Sequence, residues 1–282
     1  MDKTSLGNRM KTYEVVTQSK LLRRTPVVIR IDGKAFHTWT KRITREVDPS
    51  LVDTPFSIRM HQLMMDTAQC LCSQMQNAVF AYTQSDEISI LLRDWDKHET
   101  EQWFDAKIQK IASVSASMAT AYFNHFATPQ LSPEWIGDLA LFDSRVFNLP
   151  MEEVTNYFIW RQQDATRNSI QMLGRHFFSH KQMHGKSTSN VQDMLMELDP
   201  PVNWNDIPTW MKRGACVVPN PNPYDSSAVV IQDDEIPIFT KDREYIEQRL
   251  SPDVDLFAEL PQGEVIKKGG PYDHIIDEMK RY

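Results

Sequence analysis

Cysteine, glycine and long apolar runs are all scarce in this chain. Its 282 residues include three cysteines and nine glycines. Cys70, Cys72 and Cys216 cannot build a disulfide framework, and they lack zinc-ligand spacing. Cys70 and Cys72 fall two apart in an apolar helical stretch, which predicts buried thiols that behave as small hydrophobes. So few glycines argue against a glycine-rich scaffold. No stretch reaches the roughly 18 consecutive apolar residues of a membrane span. The first residues, MDKTSLGNRMKTYE, carry no apolar signal core. The expectation is a protein of the reducing cytoplasm with no membrane contact.

What is there is ordinary in bulk, with 41% hydrophobic and 24% charged residues. The net charge of −7 at first argues against a nucleic-acid partner, but it is unevenly placed. Residues 231–282 hold 13 acidic against 7 basic side chains. Residues 3–45 hold 11 Lys/Arg against 2 acids, and residues 160–186 hold 5 against 1. Two basic segments and an acidic tail are compatible with local phosphate binding. By charge alone they are equally compatible with solvated faces.

Hydrophobic periodicity gives an order of elements. Pro26 to Ile31 is a β-branched strand ending at the turn signal Asp32-Gly33. Phe56, Met60, Leu63, Met64, Thr67, Leu71 and Met75 repeat at helical spacing. Ala78 to Thr83 is a strand, Gln84-Ser85-Asp86 a tight turn, and Ile88, Ile90 and Leu92 mark one face of the next strand. Ile108, Ile111, Ser115, Met118, Ala119 and Tyr122 mark a second helix, and Leu139 to Phe147 a last strand. The order β-α-β-β-α-β is that of an α+β, ferredoxin-like fold, with right-handed connections. Residues 1–150 form this domain. Residues 151–282 read as a helical extension, broken at Pro200-Pro201, with an acidic tail packed on the first domain. Pro219 to Pro223 reads as an exposed loop.

That topology sets the first and third strands side by side and antiparallel, so Asp32, ending one, meets Asp86, opening the other. Two carboxylates at adjacent strand ends are hard oxygen ligands of the kind magnesium prefers. Two magnesium ions so held can bridge an attacking oxygen and a leaving phosphate. Taken singly, each Asp could equally cap a turn. Asp32-Gly33-Lys34-Ala35-Phe36-His37 extends the site, with Gly33 admitting close backbone approach. Lys34, Lys41, Arg42 and Arg45 can offset phosphate charge. Lys107 and Lys110, opening the second helix, are expected at the same sheet end. Glu87, next to Asp86, is expected to point to the opposite face in a structural role. The seven tryptophans, Trp39, Trp103, Trp160 and Trp210 among them, read mostly as core, and Trp39, close to the nucleotide loop, is also a candidate base-stacking partner.

Four motifs are then familiar in combination: Arg30 to His37, Ser85-Asp86-Glu87, Phe142-Asp143-Ser144-Arg145, and Trp160-Arg161-Gln162-Gln163-Asp164. From about residue 5 to 218 the chain resembles the tRNA(His) guanylyltransferase family. The resemblance implies a polymerase-type palm and addition of nucleotides to a tRNA 5′ end, opposite in direction to ordinary polymerases. It implies that Asp32, Asp86 and the Gly33 carbonyl bind two Mg2+ ions. It also implies that the 32–37 loop and Ser85-Asp86 hold the nucleotide, that ATP or GTP activates the 5′ phosphate, and that the protein is a homotetramer. Arg161, Arg167, Asn168, Arg175, Lys181 and Lys186 are the candidate tRNA contacts.

One departure is informative. Eukaryotic members follow the Asp matching Asp164 with Cys-His-Ile-Asn-Asn, where this chain has Ala165-Thr166-Arg167-Asn168-Ser169. The chain therefore resembles the guanylyltransferase-like branch, whose members copy a template and repair tRNAs truncated at the 5′ end. The alternatives are a strict tRNA(His) guanylyltransferase, a palm that binds RNA without catalysis, and a nucleotide cyclase, which the Trp160–Asp164 motif does not support. Two decoys are set aside. Gly185-Lys186-Ser187-Thr188 imitates the end of a phosphate-binding loop, but His180 stands where the first glycine is required. His176, His180 and His184 recur every four residues without a carboxylate or cysteine to complete a ligand set.

Overall fold

The run Val27–Gly33 forms β1, and the antiparallel strand β3 (Glu87–Leu92) lies beside it, Val27 opposite Leu92 and Asp32 opposite Glu87. The computed structural model describes residues 4–40, 55–131, 136–220 and 230–251. Lys41, Arg42, Arg45, Pro221 to Pro223 and the acidic tail from 252 lie outside the described residues.

After β1 come α2 (Phe36–Trp39) and α3 (Ile58–Gln74). The Ser57 side chain caps α3 by accepting from the Met60 amide at 3.2 Å. β2 (Ala78–Gln84) returns, β3 follows after a two-residue turn, and α4 (Ile108–Ala127) leads to β4 (Phe142–Asn148). The sheet order begins β4-β1-β3-β2, the ferredoxin-like arrangement expected from the element order.

The sheet does not end there. The C-terminal half contributes two strands that helical patterning does not reveal. These are β5 (Ala215–Pro219), paired with β2, and β6 (Val230–Asp233), paired with β5. Gly214 and Pro219 bracket the β-branched Val217 and Val218, so a local signal existed. The helices are as expected in kind: α5 (Met151–Phe177), α6 (His180–Met183) and α7 (Thr188–Met196), followed by the short α8 (Thr209–Arg213) and α9 (Glu244–Glu247). One further helix, α1 (Ser5–Val15), precedes the sheet and buries none of its residues.

Two cores flank the sheet. On one face α3 and α4 pack Leu63, Met64, Leu71 and Phe123 against Ile29, Ile31, Ile88 and Ile90. On the other, α5 packs Val154 and Phe158 against Val28, Phe80 and Leu91. The alternation in β3 suggests one solvated face, yet every residue of β3 is buried, because α5 covers the second face. Each fully buried large side chain contributes about 1.5–3 kcal/mol relative to exposure. Cys70, Cys72 and Cys216 are buried as predicted, and burial pushes the thiols of Cys70 and Cys72 up to about 12. None of the helices among the described residues is long and apolar enough to cross a membrane.

Candidate active site

Cross-strand partners in a sheet share a face. Asp143, Asp32 and Glu87 stand opposite one another across β4, β1 and β3, a row of three carboxylates. Two residues back, Arg145 and Arg30 form the matching row of guanidiniums. Asp32 lies 3.9 Å from both Arg30 Nη2 and Arg145 Nη2. Glu87 is gripped from α5, since Arg161 Nε donates to Oε1 at 2.7 Å and Nη2 donates to Oε2 at 2.8 Å. Arg30 Nε adds a charge contact to Glu87 at 3.0 Å. Glu87 is therefore structural, as expected, although it shares a face with Asp32.

Asp86 comes from the β2–β3 turn. Ser85 there has φ 50, a left-handed conformation that costs energy for a non-glycine residue. The Gly33 amide donates to the Asp86 carbonyl oxygen at 3.0 Å. This bond ties the end of β1 to the turn and sets Asp32 and Asp86 in one neighbourhood. The Asp86 carboxyl is pushed above its ordinary range, first by burial and also by the negative charge of Asp32, against the lowering effect of the Ser85 hydrogen bond.

Past Gly33, Lys34 is exposed and Ala35 also sits in the left-handed region, with φ 56. A Cβ on Gly33 would lie 2.3 Å from the Phe36 ring. That ring is fixed by Trp39, Phe123 and Phe142, at centroid distances of 5.5, 5.3 and 4.9 Å. Trp39 is 3% exposed and donates its indole N–H to the Asp138 carbonyl at 3.0 Å. It braces the loop as a core residue, the main reading of the tryptophans, and is not open to stack on a base.

Gly33, Ala35, Phe36, His37, Ser85 and Asp86 line one side of a cavity of about 600 Å³. That lies within the range of roughly 300–1,000 Å³ typical of small-molecule sites. Ala165, Asn168, Ser169, Met172 and Arg175, on one face of α5, line the opposite side. Phe56, His61, Trp210 and Gly214 complete it. His61, Trp210 and Gly214 come from parts of the chain far apart in sequence, and sequence patterning did not single them out as site residues.

The other expected site residues divide. Asn168 and Arg175 reach the cavity, and Asn168 Nδ2 donates to Asp164 Oδ2 at 3.4 Å. Arg161 does not, because it is buried on Glu87 and Asp164. Arg167 is exposed and paired with Asp164. Lys181 and Lys186 are exposed on and after α6 and line neither cavity described. Lys107 and Lys110 lie at the wrong end. β3 runs away from Asp86, so the helix after it starts beside Val27, Leu92 and Asn148. There Lys107 bridges to Lys20, and Lys110 Nζ lies 4.5 Å from the Phe104 ring centroid. The three histidines do not share a helix, because α5 stops at Phe177 and Ser179 caps α6. Among the described residues, no group of three His, Cys, Asp or Glu side chains is placed to hold a metal.

Comparison with known proteins bears on the family and the fold. Residues 7–150 match the family model described as tRNAHis guanylyltransferase. The tRNA(His) guanylyltransferase of Schizosaccharomyces pombe is 33% identical over 167 residues, 57% of this chain and 56% of that protein. An uncharacterized protein, R259, of Acanthamoeba polyphaga mimivirus is 26% identical over 235 residues, 75% of this chain and 76% of that protein. Among solved structures, a bacterial tRNA(His) guanylyltransferase-like protein in complex with ATP superposes with TM-score 0.76 at 44% identity, covering 87% of this chain and 99% of that one. A bacterial guanylyltransferase-like protein in complex with GTP gives 0.72 at 41% identity, covering 88% and 99%.

Proposed function

Because the chain belongs to the tRNAHis guanylyltransferase family, it is a nucleotidyltransferase, and we propose that it adds nucleotides in the 3′-to-5′ direction to truncated tRNA 5′ ends, copying a template. The observation that supports the catalytic part is the Gly33–Asp86 backbone bond, which brings the end of β1 to the Asp86 turn; Gly33 and Asp86 line the nucleotide-sized cavity, and Asp32 sits one residue before its edge, near enough for its charge to act on Asp86.

The residues fit magnesium. Asp32, Asp86 and the Gly33 carbonyl are hard oxygen donors. The upward push that Asp32 gives the Asp86 carboxyl is the repulsion a divalent cation relieves. Two bound Mg2+ ions would activate the attacking hydroxyl and stabilise charge on the phosphates. The side chains then have defined work. Asp32 and Asp86 would hold the ions, Arg30 and Arg145 balance the carboxylate row, and the 32–37 loop with Ser85-Asp86 holds the nucleoside triphosphate, either ATP or GTP in the activation step. The 3′-hydroxyl of the incoming nucleotide attacks the activated 5′ phosphate, and the activating group leaves.

Thr166 supports the templated reading over strict tRNA(His) guanylyltransferase activity, since the family's histidine is absent there. Retention of both aspartates disfavours a non-catalytic RNA-binding protein. A homotetramer is in keeping with α1, which buries nothing within its own chain and exposes Leu6, Met10 and Tyr13.

The test supplies Mg2+, ATP, the four nucleoside triphosphates and labelled tRNAs lacking their first 5′ nucleotide. Extension that follows the opposing base is expected. Guanosine added only to tRNA(His), whatever the opposing base, would replace this reading with the strict one.

A further inference from the structure

Across α5 from the catalytic cavity lies a second recess of about 470 Å³. Gln163, Thr166 and Arg167 form its α5 wall, and Trp204, Lys212 and Arg213 face them. Lys212 and Arg213 are adjacent in sequence and partly buried. Among the described residues neither forms an ion pair. Lys212 Nζ donates to the Asn205 carbonyl at 2.7 Å, and Arg213 Nε donates to the Ile236 carbonyl at 3.2 Å. Burial, and then the neighbouring Arg213, push the Lys212 ammonium below its ordinary range. Glu235 and Asp206 offset part of this charge without forming an ion pair with Lys212, and two partly desolvated cations side by side still favour a further anion.

Trp204, on the same wall as the two cations, suggests what that anion carries. Trp204 presents a partly exposed indole whose N–H donates to Ser169 Oγ at 3.1 Å, which fixes the ring. Ser169 Oγ also donates to the Lys212 carbonyl at 3.2 Å, and Ser169 lines the catalytic cavity. The two cavities therefore share a wall. A flat aromatic beside paired cations matches a nucleotide, because bases stack on aromatic rings while the backbone phosphate takes the charge.

We propose that this recess binds one nucleotide of the RNA substrate, its phosphate on Lys212 and Arg213 and its base against Trp204, as the strand passes toward the catalytic cavity. The inference rests on RNA being the substrate. It does not depend on template copying.

The test is tRNA affinity as a function of salt. Lys212→Gln should weaken tRNA binding about tenfold at low salt. It should also reduce the slope of log affinity against log salt by about one. Lys212→Arg should keep the slope, and ATP affinity should not change in either variant. A footprint on the wild-type protein avoids any folding defect, because tRNA should shield Lys212 from acetylation and ATP should not. Wild-type affinity and slope in Lys212→Gln, or no shielding by tRNA, overturns the proposal. Shielding by ATP instead would make the recess a free-nucleotide site and overturn it equally. A protein that shows the salt effect but no templated extension would refute the function proposed above and leave this recess standing.

Discussion

Arg161 closes a two-pronged bond on Glu87, with Nε to Oε1 at 2.7 Å and Nη2 to Oε2 at 2.8 Å, one residue along the chain from Asp86. Both side chains are less than a tenth exposed. Breaking a buried pair costs about 3–5 kcal/mol, and Arg30, which stays 3.0 Å from Glu87, keeps the loss toward the lower end. Arg161→Met should therefore lower the melting temperature by roughly 10 °C. Arg161→Lys should recover part of that loss, since it keeps the charge but not the fork. Differential scanning calorimetry of the two variants checks this. Equal stability of Arg161→Met and wild type would show that the pair does not hold α5 to the sheet.

Gly33 and Gly185 make a controlled comparison. Gly33→Ala drives a methyl into the Phe36 ring, which three aromatic neighbours hold in place. The expected cost is about 1–3 kcal/mol, with activity lost as the loop shifts. Gly185 has φ +72 and open space around its Cβ position. Gly185→Ala should cost only about 1 kcal/mol of left-handed strain and leave activity intact. Urea denaturation and initial rates on both variants measure the contrast.

The raised Asp86 carboxyl predicts a pH signature in the metal-free protein. The native state holds this proton to a higher pH than the unfolded chain does. Stability therefore falls as pH rises from the ordinary value of 3.8 through the raised native value. Asp86→Asn removes that penalty. In EDTA the variant should be the more stable at neutral pH, and the gap should close at pH values below 3.8. Added Mg2+ should stabilise wild type and not the variant. Paired melting curves across pH decide it, and an unchanged gap from pH 3 to 7 would contradict it.

Arg175 is an exposed cation at the cavity wall on α5. Arg175→Ala should raise the KM for substrate about tenfold, corresponding to about 1.4 kcal/mol, with the melting temperature unchanged. Steady-state kinetics at two salt concentrations test this, since the loss should shrink as salt screens the wild-type contact.

The legible parts of this molecule were those governed by local period and by strand order. Ile88, Ile90 and Leu92 announced a strand face. The β-α-β-β-α-β order placed Asp32 beside the Asp86 turn although the two lie far apart in sequence. The illegible parts depended on long-range packing. Nothing near Glu87 signals that Arg161 will bury itself there, so a basic residue of a basic segment read as an RNA contact. Trp39 followed a nucleotide loop and could be read as core or as a base-stacking partner, and the cluster around Phe36 and Phe123 decides for core. Lys107 was misplaced for a different reason. An antiparallel strand carries the chain to the far end of the sheet before the next helix begins, and that consequence of the topology was available from the sequence. The His61 and Trp210 walls of the cavity meet only because α8 and β5 return to the sheet.

The central claim is that Asp32 and Asp86 form one catalytic centre. The most direct measurement is the single-turnover rate of nucleotide addition by Asp32→Asn and Asp86→Asn, taken alongside their tRNA affinities. Each variant should lose at least about a thousandfold in rate, since carboxylates holding the proposed Mg2+ ions would stabilise charge that develops in the transition state. The tRNA affinity of each should stay within about twofold of wild type, because phosphate contacts elsewhere carry binding. A variant that retains a rate within about tenfold of wild type, a difference of only about 1.4 kcal/mol in the barrier, would contradict the assignment.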